Sequence, residues 1–344
     1  MRAANAAGAA SLAFAVALMC AGAVGAQGAG ADGLLREAID APNNVSYVGQ
    51  VQNTEFGQSK AEATIFRIEH DSPNLTRRWY VAPQALYGDS IISRGDTSYN
   101  VDIKRNRVIV TKDDALDDQV AQDDNFNLLA NNYRAVQGAD ETIAGRPAAS
   151  VLLVNKYTGQ TVLRVWIDTQ TKLVLQKEQY SSNGSVTRQM RFAQIRYVKD
   201  VPDGSFQIPT TGFTRVQGAS HGTPSNDVAG AIRTAGFQAR GPRYLPEGFT
   251  PIAADITTIK GIRTLHLLYS DGIRTISLFE NARGAAVDLS KYTVHPATVD
   301  KQDAQYVQDG PTMLLAWAES GLHFALVGEL SEDELSKIAS SVVP

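Results

Sequence analysis

Residues 145–198 read GRPAASVLLVNKYTGQTVLRVWIDTQTKLVLQKEQYSSNGSVTRQMRFAQIRYV. Four β-rich runs lie in this stretch, at 149–154, 161–167, 173–180 and 185–198. Short polar turns separate them: Thr158-Gly159, then 168–171, then Asn183-Gly184, the dipeptide of a two-residue hairpin. Runs of this length and spacing predict an antiparallel meander. In the second run Thr161, Leu163, Val165 and Ile167 share one face, and Val162, Arg164 and Trp166 share the other. Both faces carry apolar groups, so the sheet is expected to be covered on each side, at least in part. The meander holds no nucleophile, metal cluster or phosphate loop. The function is therefore sought in binding.

The whole chain has 344 residues, enough for two domains, and a globular composition of 43% hydrophobic and 20% charged residues. A net charge of -4 carries no basic signature for nucleic acid. Residues 1–26 are expected to be a secretory signal peptide: Arg2 is the only charge, 12–19 is an apolar core, and Val24-Gly25-Ala26 suits cleavage. The apolar core is too short to span a bilayer. The alternative is lipidation at Cys20, the only cysteine, but Met19 is a poor residue for that processing. Cleavage after Ala26 leaves a chain without disulfide or thiol chemistry. Export without an anchor implies a periplasmic or secreted protein, and the Ala/Gly-rich leader looks bacterial.

Beyond the leader, 33–41 predicts an amphipathic helix ended by Pro42 and Asn43-Asn44. Short strands are expected at 45–54, 61–70, 75–81, 88–93, 98–103 and 107–110, a spacing typical of one continuous antiparallel sheet. Residues 113–124 hold six Asp but lack the alternation and central Gly of a calcium loop, so a solvated loop is expected. Asp124 could cap a helix carrying Phe126, Leu128 and Leu129 toward a core, with strand returning at 133–136. From Thr210 the chain turns polar and Gly-rich, which predicts a linker that allows relative domain motion. A short helix at 228–234 and a second domain from about Phe237 follow, with strands at 252–259, 263–269, 275–280, 312–319 and 323–328. Ser331 and Glu334 match a capping box, and Leu335, Ile338, Ala339 and Val342 form the stripe of a C-terminal helix.

Catalytic and cofactor signatures are missing from the sequence. The five histidines are His70, His221, His266, His295 and His323, and none stands at metal-ligand spacing from another His or a Cys. There is no nucleophile elbow and no dinucleotide loop. The expectation is a binding protein without cofactor or metal rather than an enzyme. A curved sheet with apolar residues on both faces must cover each face or bind something there. Phe66, Ile68, Trp79, Val81, Trp166 and Phe192 are the candidate lining residues of a ligand cavity, each of them equally able to pack in an ordinary core.

At Ile143-Ala144-Gly145-Arg146-Pro147-Ala148, Trp166-Ile167-Asp168 and Thr171-Lys172-Leu173 the chain resembles the MucB/RseB family. Asn183-Gly184 and Arg191-Phe192-x-x-Ile195 continue the match. So do Leu245-Pro246-x-Gly248-Phe249, the run from Leu267 to Gly272, and Ser277-Leu278-Phe279-Glu280. The stretch 47–110 is equally similar to the broader lipoprotein-carrier-like domains. The resemblance implies an α+β protein. Residues 27–212 would form an incomplete antiparallel β-barrel with helices across its open side and an apolar cavity. After a linker at 213–233, residues 234–344 would form a smaller C-terminal α/β domain. It further implies a periplasmic regulator of the envelope-stress response. Such a protein binds the periplasmic segment of a membrane anti-sigma factor, shields it from proteolysis and senses lipidic or acylated ligands. A periplasmic lipid or lipoprotein carrier is the alternative.

Overall fold

The structure is a computed structural model that describes residues 30–57, 60–112, 122–218, 225–259, 261–282 and 287–342. The leader with Cys20, most of the acidic loop (113–121) and part of the expected linker (219–224) lie outside the described residues.

The first unit starts with α1 (Ala31–Asn44), whose Leu35, Ala38, Ile39 and Ala41 are buried as the amphipathic pattern requires. The helix runs through Pro42 to Asn44 instead of stopping there. A proline in the last turn removes a single N–H donor, and the Pro42 carbonyl is engaged by His70 Nε2 at 2.7 Å. Six strands follow: β1 (Ser46–Phe56), β2 (Ala61–Asp71), β3 (Leu75–Ala82), β4 (Ser90–Arg94), β5 (Thr97–Asp102) and β6 (Arg107–Lys112). After α2 (Gln122–Asn132) come β7 (Tyr133–Gln137), β8 (Glu141–Ile143), β9 (Arg146–Asn155), β10 (Thr161–Asp168), β11 (Val174–Tyr180), β12 (Val186–Val198), a 3-10 turn at Asp203–Phe206, and β13 (Thr214–Gln217).

Their strands make one open 13-stranded sheet, ordered β13-β6-β5-β4-β3-β2-β1-β12-β11-β10-β9-β7, with β8 paired to β9. The meander of 145–198 is its second half. β1 closes on β12 from Ser46↔Val198 to Glu55↔Arg188 and so joins the two halves. Asn183-Gly184 sits in the loop 181–185, where Asn183 Oδ1 accepts from the Ser181 hydroxyl and the Ser185 N–H. Both faces of β10 are buried, as expected. Leu163, Val165 and Ile167 pack with Leu35 and Ala38 of α1, and Trp166 is 2% exposed under the Arg164 guanidinium.

One ion pair holds the meander's corners. The Asp168 carboxylate is fully buried and accepts from Arg146 Nε at 2.7 Å and from Tyr197 OH at 2.9 Å. It also caps the turn at Gln170 N and Thr171 N. Burial by itself would raise this carboxyl. The hydrogen bonds from Arg146, Thr171, Gln170 and Tyr197 outweigh it and hold the group down at about 2.

The second unit holds α3 (Val228–Thr234), β14 (Thr250–Ile259), β15 (Ile262–Ser270), β16 (Thr275–Asn281), β17 (His295–Val299), β18 (Gln302–Asp309), β19 (Thr312–Glu319), β20 (Leu322–Gly328) and α4 (Glu332–Ser340). Its seven strands run β14-β15-β16-β20-β19-β18-β17. Every described pairing is antiparallel. The unit is therefore α+β, not the α/β arrangement expected from the resemblance. Both helices lie on one face: Ala231 of α3 and Leu335, Ile338 and Ala339 of α4 share a core with Leu265, Leu267, Leu278, Phe324 and Leu326. Ser331 caps α4 by accepting from Glu334 N.

Glu280 stands inside this core with no exposed surface. Its Oε2 accepts from Arg240 N at 2.9 Å. Burial pushes the carboxyl up to about 7, against the opposing pull of Arg240. An acid whose folded value lies above its unfolded one costs stability as pH rises from the unfolded value to the folded one. Between pH 4.5 and about 7 the cost grows to roughly 3–4 kcal/mol at about 1.4 kcal/mol per unit. Glu280→Gln should therefore gain stability over the parent between pH 4.5 and 8, as read by urea unfolding at several pH values. A difference that does not change with pH would contradict this.

Candidate functional site at the junction of the two sheets

The structure gathers four of the six cavity candidates. Phe66, Ile68, Trp166 and Phe192 belong to one buried cluster with Tyr47, Val51, Leu173 and Leu175. The register explains part of this, because Phe66 and Phe192 both pair with Val51 from opposite sides. Gly49 lets the Phe192 ring lie on β1, since a Cβ there would stand 3.1 Å from the ring. Tyr47 meets Phe192 edge-on at 5.7 Å, and Tyr80 meets Phe66 edge-on at 5.8 Å.

Trp79 and Val81 do not join the cluster. Phe66 pairs with Tyr80 and Arg67 with Trp79, so Trp79 shares the face of Arg67, opposite Phe66 and Ile68. It is 37% exposed, and Val81 is half-buried. Alternation within each strand was legible, but the register between β2 and β3 was not.

The cluster has basic neighbours. Arg78 lies 6.0 Å over the Phe66 ring. Lys177 is pushed down to about 7 by burial, then by Arg188 and Arg78. His70 is a tie between elements: its ring nitrogens meet Thr76 Oγ1 at 2.8 Å and the Pro42 carbonyl. Burial pulls its pKa down.

Two surface clefts lie on the second unit. One of about 490 Å³ follows α4 from Asp333 to Ser341, and one of about 520 Å³ lies between Ser225–Thr234 and Ala254–Ile256. None of the six candidates lines either of them. Beside the second, His266 Nδ1 stands 3.4 Å from Asp255 and its ring stacks on Phe279 at 4.3 Å. Among the described residues no group of three His, Cys, Asp or Glu is placed to hold a metal ion.

The most elaborate polar arrangement joins the two units. The turn Ser270-Asp271-Gly272 between β15 and β16 enters the first unit beside α2. Asp271 is fully buried. Its Oδ2 accepts from Tyr133 OH at 2.6 Å and Arg274 Nε at 3.0 Å, and its Oδ1 accepts from Ile273 N and Arg274 N. Asn132 Nδ2 donates to the Asp271 carbonyl at 2.9 Å and the Gly248 carbonyl at 2.8 Å, while Tyr157 OH donates to Asn132 Oδ1. Burial, then the Asp271 charge, raises the Tyr133 phenol, so it stays protonated and donates. Gly272 has φ +97, and a Cβ there would stand 2.6 Å from the Leu129 nitrogen. Only glycine lets the turn sit this close to α2. Ile273 packs on the core of α1 and β10.

A second contact lies farther along the sheet. The Glu329 carboxylate accepts from Arg188 Nη1 and from Gln179 Nε2. Arg188 also reaches Thr312 Oγ1 at 3.2 Å and Glu55 at 3.4 Å. The sequence offered no signal for it, since its partners are single polar residues far apart in the chain.

The expected linker also proves to be structured at both described ends. Thr214–Gln217 is β13, paired in parallel with β6. Ser225 bridges Ala254, and α3 packs into the second core.

Asp271→Ala would leave the Tyr133 hydroxyl and Arg274 guanidinium buried without their acceptor, so it should cost about 3 kcal/mol in urea unfolding. Tyr133→Phe should cost about 1 kcal/mol. Gly272→Val should detach the turn and split unfolding into two transitions. A loss below about 0.5 kcal/mol for Asp271→Ala would contradict the assigned role.

Comparison with known proteins agrees with this geometry. Residues 87–210 match the MucB/RseB N-terminal domain family, and residues 240–342 match a Domain of unknown function (DUF4367). No curated protein matches the chain by sequence. The crystal structure of MucB in complex with MucA(peri) is 17% identical, covers 92% of this chain and 99% of its own, and superposes with a TM-score of 0.62. The Pseudomonas aeruginosa MucA/MucB complex is 16% identical, covers 91% and 98%, and gives 0.63. A crystal structure of MucB is 14% identical, covers 90% and 96%, and gives 0.52. At these identities the likeness is one of fold. Residues 87–210 thus match the MucB/RseB N-terminal domain, and the chain shares the MucB fold along both of its sheets.

Proposed function

We propose that this chain is a periplasmic regulator that binds the periplasmic segment of a membrane anti-sigma factor and shields it from proteolysis. The observation that carries the reading is the two-unit fold shared with a MucB crystallised together with MucA(peri), over 92% of the chain. The locked junction favours it over the alternative, a periplasmic lipid or lipoprotein carrier. A carrier needs only the first sheet, whereas here the Asp271 turn makes the second unit part of the same body. The reading divides the chain into a leader at 1–26, a half-barrel domain at 27–212, a connecting stretch at 213–233 and a C-terminal domain at 234–344. No helix among the described residues is long and apolar enough to cross a membrane.

The ligand half of the reading places a lipidic or acylated group against Phe66, Ile68, Trp166 and Phe192. That cluster is apolar and aromatic, and Arg78 and Lys177 stand beside it to receive a polar head. Bound ligand would weaken the grip on the anti-sigma segment if it favours a different packing of this cluster.

The test uses the chain from residue 27, which carries every described residue, with the periplasmic segment of a membrane anti-sigma factor. Binding by calorimetry and slower protease cleavage of the segment are expected, together with saturable binding of an acylated peptide that releases it. Phe192→Asn, in a chain that stays folded, should weaken the acylated peptide about tenfold, a loss of roughly 1.4 kcal/mol. Extraction of acylated peptide from vesicles, with no effect on the anti-sigma segment, would establish the carrier instead.

A further inference from the structure

Three large apolar side chains stand exposed at one corner of the first sheet. Tyr87 is 51% exposed, Ile103 40% and Trp79 37%. Tyr87 belongs to the β3–β4 loop and Ile103 to the β5–β6 turn, and the two tips interlock. Lys104 Nζ donates to the Gln84 and Ala85 carbonyls at 3.0 and 2.6 Å, and Ile103 N donates to Asp89 Oδ1 at 2.9 Å. Ile103 lies over Gly88, where an added Cβ would meet its side chain. Trp79 pairs with Ser90 and Ser90 with Val101, so the row of Trp79 leads to the end of β5, with Ile103 in the turn just beyond it.

Cations surround this corner. The guanidinium groups of Arg67 and Arg77 lie 5.5 and 5.7 Å from the Trp79 ring. Lys104 and Arg105 follow Ile103 in the turn. The acids nearby are Glu69, Asp89 and Asp102. Glu69 stands 4.0 Å from Arg77, Asp89 holds the Ile103 N–H, and Asp102 is taken by Arg105 and Arg107. The corner is thus locally cationic on a chain whose net charge is -4.

We infer that this corner docks the protein on an anionic lipid bilayer surface. Trp and Tyr prefer the headgroup layer, where the ring is buried and its polar edge stays wet. Lys and Arg beside them are drawn to anionic lipid. Two of the apolar groups, Tyr87 and Ile103, sit on interlocked loop tips beside the strand residue Trp79, which suits a plane better than a peptide, and the two surface clefts described above lie on the other unit. The inference is independent of the anti-sigma reading.

The probe is a pair of vesicles, phosphatidylcholine with phosphatidylglycerol and phosphatidylcholine alone. The chain from residue 27 should float with the anionic vesicles, less so as salt rises. Of the three tryptophans, Trp166 and Trp317 are 2% and 4% exposed. A blue shift and quenching by brominated lipid therefore report Trp79. Tyr87→Ser with Ile103→Ser should weaken flotation about tenfold with unchanged circular dichroism, and Arg67→Gln should flatten the salt dependence. No flotation with either vesicle, or flotation untouched by these substitutions, would overturn the inference. So would binding of an acidic peptide that follows the substitutions while vesicle binding does not.

Discussion

Asp271 carries a negative charge where no water reaches it, and the surrounding structure is arranged to make that tolerable. A carboxylate buried without partners costs several kcal/mol. Here Tyr133 comes from the first unit, the Arg274 side chain from the residue just before β16, and two backbone N–H groups from its own turn. None of these groups can leave without stranding another. The turn can reach them only because Gly272 adopts φ +97 against the α2 backbone. This requirement joins the two sheets. The Arg188–Glu329 pair fixes a second point and so removes the rotation that a single pivot would allow.

The same logic holds the first sheet. Asp168 is also fully buried, and Arg146, Tyr197 and the turn at Gln170–Thr171 satisfy it. Both aspartates belong to the motifs through which the family resemblance was seen: Gly145-Arg146-Pro147 with Trp166-Ile167-Asp168, and the run ending Ser270-Asp271-Gly272. Leu245-Pro246-x-Gly248-Phe249 meets the junction as well, through the Gly248 carbonyl. These motifs are scaffold. They identify the fold because they close it, and they say little about what is bound.

That division explains what could be read from the chain. The meander, the six strands of the first half and the C-terminal helix were legible because alternation and turn dipeptides are local signals. β17 and β18 were missed, since Gln302–Asp309 alternates weakly and its turn uses Asp300 and Lys301 at positive φ instead of glycine. β13 was read as linker because four exposed residues added in parallel to an edge leave no pattern. Of the cavity candidates, Phe66, Ile68, Trp166 and Phe192 were chosen for being large and apolar in strands, and they pack in one buried cluster. Trp79 and Val81 share that property and fall on the other face, because inter-strand register is set by tertiary pairing. The junction itself was invisible even though Asp271 and Gly248 stand in quoted motifs, since their partners Asn132 and Tyr133, and the Arg188–Glu329 contact, match no motif.

A Gly-rich stretch suggested two modules on a tether, whereas buried polar contacts make them one body. Relative motion then requires breaking the Asp271 network instead of merely bending a linker. With its only cysteine at position 20, the chain from residue 27 accepts labels at chosen sites. Spin labels at Asp96→Cys and Lys301→Cys, on exposed turns of the two units, measure the separation directly. One narrow distance distribution is expected in the parent chain, broadening in Gly272→Val. A parent distribution as broad as that of Gly272→Val would contradict a rigid junction.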